Sequence, residues 1–213
     1  MINKYIDRFR DGSSCNLGAN LALNPEKSWI SNEIENTRLK DGKIILEIGP
    51  GKNGGVGLNK NDLYIGIEPN FGGELNFRVN KAELGAKIAI LDDSLNLPDF
   101  PPDLVICLAP NPNDIDNGML WEYERFINRK KTAVVIVLDT RTWEAKSGLG
   151  VKGLTRKVVD DLDEMGKRRI NYKEADDSDI TEILEHMGIE RNCDLHSSAD
   201  LGSKSVVVWS EPR

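Results

Sequence analysis

The residues best placed to do chemistry begin at Glu47. There an apolar run, Lys43–Ile48, passes into Glu47-Ile48-Gly49-Pro50-Gly51-Lys52-Asn53-Gly54. Glycines at 49 and 51 permit a sharp turn and let a ligand approach the backbone closely. Glu68 closes the next apolar run, where a carboxylate can accept hydrogen bonds from both hydroxyls of a ribose. Asp93 closes the third, where a side-chain oxygen can accept from an adenine amino group. Together these groups describe a site for an adenosine-containing ligand. The spacing Gly49-x-Gly51-x-x-Gly54 also fits a nicotinamide dinucleotide fingerprint. Glu47 argues against that reading. An acid two residues ahead of the first glycine repels a pyrophosphate but suits a cationic amino group, such as that of the methionine moiety in S-adenosylmethionine.

A second set of candidates follows the fourth and fifth apolar runs. In Ala109-Pro110-Asn111-Pro112-Asn113-Asp114 the prolines restrict the backbone around Asn111. Its amide can offer a donor and an acceptor to a base edge or an amine; the competing role is a rigid connection into the next helix. Asp139 can act as a base toward a hydroxyl or an amine, or can cap the following turn. Trp143, near Arg141, can stack on a planar acceptor or plug the core. Glu144–Gly153, with three glycines, reads as a mobile lid or a surface loop. No metal site is expected, because His186 and His196 have no Asp or Cys partner at ligand spacing.

The elements that must position these groups alternate. Lys43–Ile48, Leu63–Ile67, Ala86–Leu91, Leu104–Leu108 and Thr132–Leu138 are short apolar runs of buried parallel strands. Gly118–Lys130, with Leu120, Tyr123 and Ile127 on one face, predicts a helix, as do Leu154–Gly166 and Asp179–Gly188. Asn192–Ser197 and Ser203–Ser210 predict an antiparallel C-terminal pair. Residues 1–42 carry no strong strand, but Pro25–Thr37 predicts a helix capped by Asn24, with Trp29 facing inward. The expected division is an N-terminal helical appendage, 1–42, and a Rossmann-like domain, 43–213. Its fold class is α/β: a doubly wound, mostly parallel seven-stranded sheet with an antiparallel C-terminal hairpin. In such a sheet ligands bind outside the carboxyl ends of the strands.

ILEIGPGKNG, YIGIEPN, LDDSLNLP and PDLVICLAPNP, in this order, resemble the successive motifs of class I S-adenosylmethionine-dependent methyltransferases. The resemblance spans roughly Lys43 to Trp209. It implies that Glu47, Gly49 and Gly51 hold the methionine end of S-adenosylmethionine, Glu68 the ribose, and Asp93 with Ser94 the adenine. It also implies methyl transfer to an acceptor; Asn111 and Asp139, read from the residues themselves, are the acceptor-side candidates. The proline loop is similar to the Phe-Pro-Asp-Pro segment of tRNA guanine-7 methyltransferases, but acidic Asn113–Gly118 stands where that family has a basic, tryptophan-containing stretch. The chain departs from the family pattern after the glycine loop, where Lys52–Asp62 is rich in glycine and asparagine and disfavours a helix. A methyltransferase-like protein that binds without catalysing is therefore the alternative expectation.

The 213 residues carry 28 basic and 35 acidic side chains, a formal charge of -7. Nucleic acid as a partner is disfavoured, since non-specific binding rests on Lys and Arg neutralising phosphates. Two short basic runs, Arg129–Lys131 and Lys167–Arg169, read as solvated helix ends. Three distant cysteines suggest neither disulfides nor zinc, and a reducing, cytoplasmic setting is expected. No stretch predicts a membrane span. The methyl acceptor and the oligomeric state are not written in the sequence.

Overall fold

Continuous runs of β-branched and aliphatic residues form strands when both faces are covered. The computed structural model describes residues 21–50, 58–68, 85–108, 110–139, 150–167, 169–187 and 205–212. Each expected run within those residues is a strand. The described residues fall into two compact units, one reaching to Pro98 and the other beginning at Asp99.

The first unit comprises β1 (Leu21–Leu23), α1 (Lys27–Leu39), β2 (Ile44–Ile48), β3 (Leu63–Ile67) and β4 (Lys87–Leu91). Its strands are all parallel, in the order β1-β4-β3-β2. Every residue of β2 and β3 is buried, as their unbroken apolar sequences require. Helix α1 turns Ile30 and Thr37 inward and ends at Lys40, after which Asp41 takes a left-handed φ of 54°. Gly42 then donates its N–H to the Thr37 carbonyl at 2.9 Å and leads into β2. The helix starts later than expected. Its cap is Glu26 in extended backbone, without a side-chain cap bond, while Asn24 has φ 44° and is engaged elsewhere.

At the amino ends of β2 and β3 one buried carboxylate organises three segments. Asp62 Oδ1 accepts the Lys43 N–H at 2.9 Å and Oδ2 accepts the Asn59 N–H at 2.8 Å. The Asp62 carbonyl in turn accepts the Lys87 N–H at 2.9 Å. Replacing Asp62 by alanine strips two backbone donors of their acceptor, at about 1–3 kcal/mol for each group left buried. Asp62→Ala is expected to lower unfolding free energy by about 2–4 kcal/mol in urea titrations. A change below about 0.5 kcal/mol, the range of ordinary surface substitutions, would show that these bonds are replaced by water.

The second unit comprises β5 (Leu104–Leu108), the short helices α2 (Pro112–Asp116), α3 (Met119–Glu122) and α4 (Glu124–Ile127), β6 (Ala133–Asp139), α5 (Gly150–Glu164), β7 (Ile170–Ala175), α6 (Asp177–His186) and β8 (Ser205–Ser210). Here the order is β5-β6-β8-β7, with β5 and β6 parallel and β8 antiparallel to both neighbours. The antiparallel C-terminal pair is present, but β8 takes Ile170–Ala175 as its partner, while Asn192–Ser197 lies outside the described residues. The described residues thus hold eight strands where seven were expected, in a Rossmann-like, mostly parallel α/β fold. Among them, no helix is long and apolar enough to cross a membrane.

Lys167 is not a solvated helix end. It is 5% exposed, and its ammonium donates to the carbonyls of Arg129 at 2.9 Å and Thr132 at 2.5 Å. Thr132 itself donates its hydroxyl to the Pro102 carbonyl at 2.6 Å. These bonds fix the turn that launches β6. Arg129, from the other basic run, pairs with Asp99 and holds that carboxyl below its ordinary value.

Candidate functional site

In the first unit the parallel register sets the site. Ile48 of β2 lies opposite Ile67 of β3, and Ile67 lies opposite Leu91 of β4. The residues that follow, Gly49, Glu68 and Asp92, therefore emerge level at the carboxyl edge. Pairing continues one step beyond the strands: Gly49 N–H donates to the Ile67 carbonyl at 2.8 Å, and Glu68 N–H to the Leu91 carbonyl at 2.8 Å. Gly49 has φ 63°, a left-handed conformation that favours glycine. Apart from Gly49 and its two chain neighbours, no described residue comes within 4 Å of the position a Cβ would occupy there. Gly51 lies outside the described residues.

Three of the expected groups meet at this edge. Glu47, the last but one residue of β2, is 0% exposed, and its Oε2 accepts the Tyr64 hydroxyl at 2.5 Å. Glu68 is 8% exposed at the mouth of β3. Asp93 follows Asp92, and its Oδ1 accepts the Leu95 N–H at 2.8 Å, closing a side-chain turn. That bond occupies part of a carboxylate with about four lone-pair sites. The neighbouring Ser94 carbonyl accepts the Leu97 N–H at 3.1 Å, which continues the turn.

Two residues bonded to groups near this edge were not assigned to it from the sequence. Asn24, immediately after β1, accepts the Asp92 N–H through Oδ1 at 2.9 Å and donates through Nδ2 to Asp92 Oδ2 at 3.3 Å. Its own N–H bonds the Ile90 carbonyl at 2.8 Å. Asn24 therefore ties down the start of the Asp92–Leu95 turn instead of capping α1. Tyr64 was read only as part of an apolar strand. The period-two pattern could have flagged it, since Tyr64 and Glu68 share one face of β3 with Gly66 between them.

The acceptor-side candidates lie in the second unit. Asn111 is the N-cap of α2: its Oδ1 accepts the Asn113 N–H at 3.1 Å, with Pro112 buried at the first helical position. The rigid connection into the next helix is thus visible in the geometry. Asp139 is the last residue of β6 and lies opposite Ser205 of β8. Arg141, Trp143 and residues 144–149 of the expected lid lie outside the described residues; residues 150–153 form the first turn of α5. His186 ends α6, exposed, with Nε2 3.8 Å from Glu211 Oε1, and His196 lies outside the described residues.

No family model matches the sequence, and no curated protein matches it. Solved structures do. A 30S ribosomal A1408 methyltransferase from an uncultured bacterium is 15% identical, over 89% of this chain and 95% of that one, with a TM-score of 0.50. Looser matches include the fibrillarin/Nop5p complex at 12% identity, over 80% of this chain and 73% of that one, with a TM-score of 0.44. Another is Haemonchus contortus phosphoethanolamine N-methyltransferase 2 in complex with S-adenosyl-L-methionine, at 12% identity, 98% and 60% coverage, and a TM-score of 0.42. What the first likeness establishes is the fold: the Rossmann-like α/β architecture of class I methyltransferases.

Proposed function

We propose that the carboxyl edge of β2, β3 and β4 binds S-adenosylmethionine and that the chain is a methyltransferase. The observation that carries this reading is the level emergence of Gly49, Glu68 and the Asp92-Asp93 pair from three adjacent parallel strands, with the buried Glu47 two residues before Gly49. The residues fit the cofactor. At Gly49 no side chain intrudes on the edge, and a Cβ there would narrow the space left for a ligand. Glu47 carries the charge that an ammonium requires, Glu68 the paired oxygens that a ribose diol requires, and Asp93 with Ser94 an acceptor edge for adenine.

When bound, the cofactor supplies an activated methyl group on a sulfonium. The chain supplies position and a fixed electrostatic frame, and both act by lowering the entropy and reorganisation cost of the encounter. A protein base is required only for an acceptor whose proton must leave; Asp139 is the proposed group for that step, and Asn111 the proposed acceptor-orienting amide. The acidic chain favours a small planar or amine acceptor over a nucleic acid.

Calorimetric titration of the purified protein with S-adenosylmethionine and S-adenosylhomocysteine tests the reading. Saturable binding near one ligand per chain is the expected result. An absence of heat from either ligand at high protein concentration, with the protein folded, would overturn it. Binding without methyl transfer to small-molecule, RNA or protein pools would leave a non-catalytic binding protein.

A further inference from the structure

Glu47 presents a physical problem. It stands in the apolar strand β2 and is 0% exposed, and a buried carboxylate is costly unless hydrogen bonds hold it. Part of the answer comes from the neighbouring strand. Tyr64, also 0% exposed, donates its hydroxyl to Glu47 Oε2 at 2.5 Å. In the register Glu47 lies opposite Gly66, and Tyr64 is two residues earlier on β3, so the three share one face of the sheet.

Gly66 makes the diagonal contact possible. A Cβ there would lie 3.1 Å from Tyr64 Cε1, 3.1 Å from Pro50 Cγ and 2.9 Å from Ile90 Cδ1. The tyrosine ring thus passes over a residue without a side chain, with Pro50 of the glycine loop and Ile90 of β4 packed around the same spot. The missing side chain at Gly66 leaves the ring room to cross to β2, where its hydroxyl meets the Glu47 carboxylate.

We propose that Tyr64 is a positioning residue: through its hydroxyl it fixes the Glu47 carboxylate for the cationic amino group of the ligand. This rests on the S-adenosylmethionine reading above and deepens it. Tyr64 does not touch the ligand's adenosine in this scheme, and its influence is confined to the amino-acid end. The ligand selectivity of the site toward that end then depends on a strand residue outside the glycine motif.

Tyr64→Phe removes the hydroxyl and keeps the ring. Two probes separate its roles in calorimetry: S-adenosylhomocysteine, which carries the amino-acid end, and 5′-methylthioadenosine, which lacks it. Tyr64→Phe is expected to weaken the first about tenfold and the second less than about twofold, the scale of one hydrogen bond to a charged group. Equal weakening of both probes would mean a purely structural tyrosine, and no weakening of either would mean an idle hydroxyl; each overturns the proposal. A second arm uses Glu47→Gln. On that background, Tyr64→Phe should add no further loss for S-adenosylhomocysteine, and an added loss would overturn the coupling. A wild-type protein that binds neither probe would instead remove the cofactor reading itself, and the inference with it.

Discussion

Glu68→Gln is expected to weaken S-adenosylhomocysteine binding about 10- to 100-fold while the unfolding midpoint moves little. Glu68 follows Ile67 directly, and its N–H is bonded to the Leu91 carbonyl at 2.8 Å, so its Cα is held by the sheet whatever its side chain does. The residue is 8% exposed, at the carboxyl end of β3. A hydrogen bond to a charged group contributes about 1.5–3 kcal/mol, which converts to that range of affinity. Glutamine keeps the shape and one acceptor oxygen, but replaces the other oxygen with a donor that a ribose hydroxyl meets less well. Calorimetry with wild type and variant side by side reads the effect. Equal affinity in both would place the ribose away from Glu68.

The second large effect concerns the scaffold. Gly42→Ala would place a Cβ 2.1 Å from the Asn61 carbonyl oxygen and 2.7 Å from its carbon. Those are backbone atoms, so no side-chain rotation relieves the overlap. Either the end of α1 or the turn before β3 must move, and Asp62 in that same turn holds β2 through Lys43. Overpacking of this kind costs about 1–3 kcal/mol and occasionally more. The upper end is expected, seen as a fall in the unfolding midpoint of roughly 6–12 °C for a chain of this size. A midpoint within about 2 °C of wild type would show that the turn before β3 yields freely. The bonds that hold β2 and β3 in register at their amino ends also hold Glu47 and Glu68 at their carboxyl ends.

Much of this architecture was legible in the sequence, for a physical reason. β2 to β6 and β8 bury both faces, so they read as apolar runs without needing a period. Their ends were equally clear, since each apolar run stops at a glycine or a carboxylate: Gly49, Glu68 and Asp92 mark the edge where the candidate ligand groups stand. β1 was missed because three residues offer no pattern, and β7 because Asn171, Lys173 and Glu174 sit in a strand with neighbours on one side only. In 118–130 the expected inward residues Leu120, Tyr123 and Ile127 are buried, yet the helix is broken at Tyr123. Bonds from Trp121 to Gly118, Tyr123 to Leu120 and Phe126 to Tyr123 span three residues, and a three-residue repeat buries almost the same side chains as a 3.6-residue one. Lys167 was misjudged because composition reports a charge but not the carbonyls that a fold gathers around it. The Tyr64 bond to Glu47 needed the register between two strands, which no single run contains.

The three residues of β1 also bear on how the protein survives at high concentration. They cover Ile88–Ile90, a short apolar stretch that would otherwise offer its backbone N–H and carbonyl groups to any passing strand. β1 itself is a poor template for further growth: it is only three residues long and Pro25 follows two positions later, with no N–H to extend a ladder. Among the described residues, a three-residue strand thus covers this stretch of β4. Loss of that cover is expected to favour cross-chain pairing of β4, even with every residue of the candidate site unchanged.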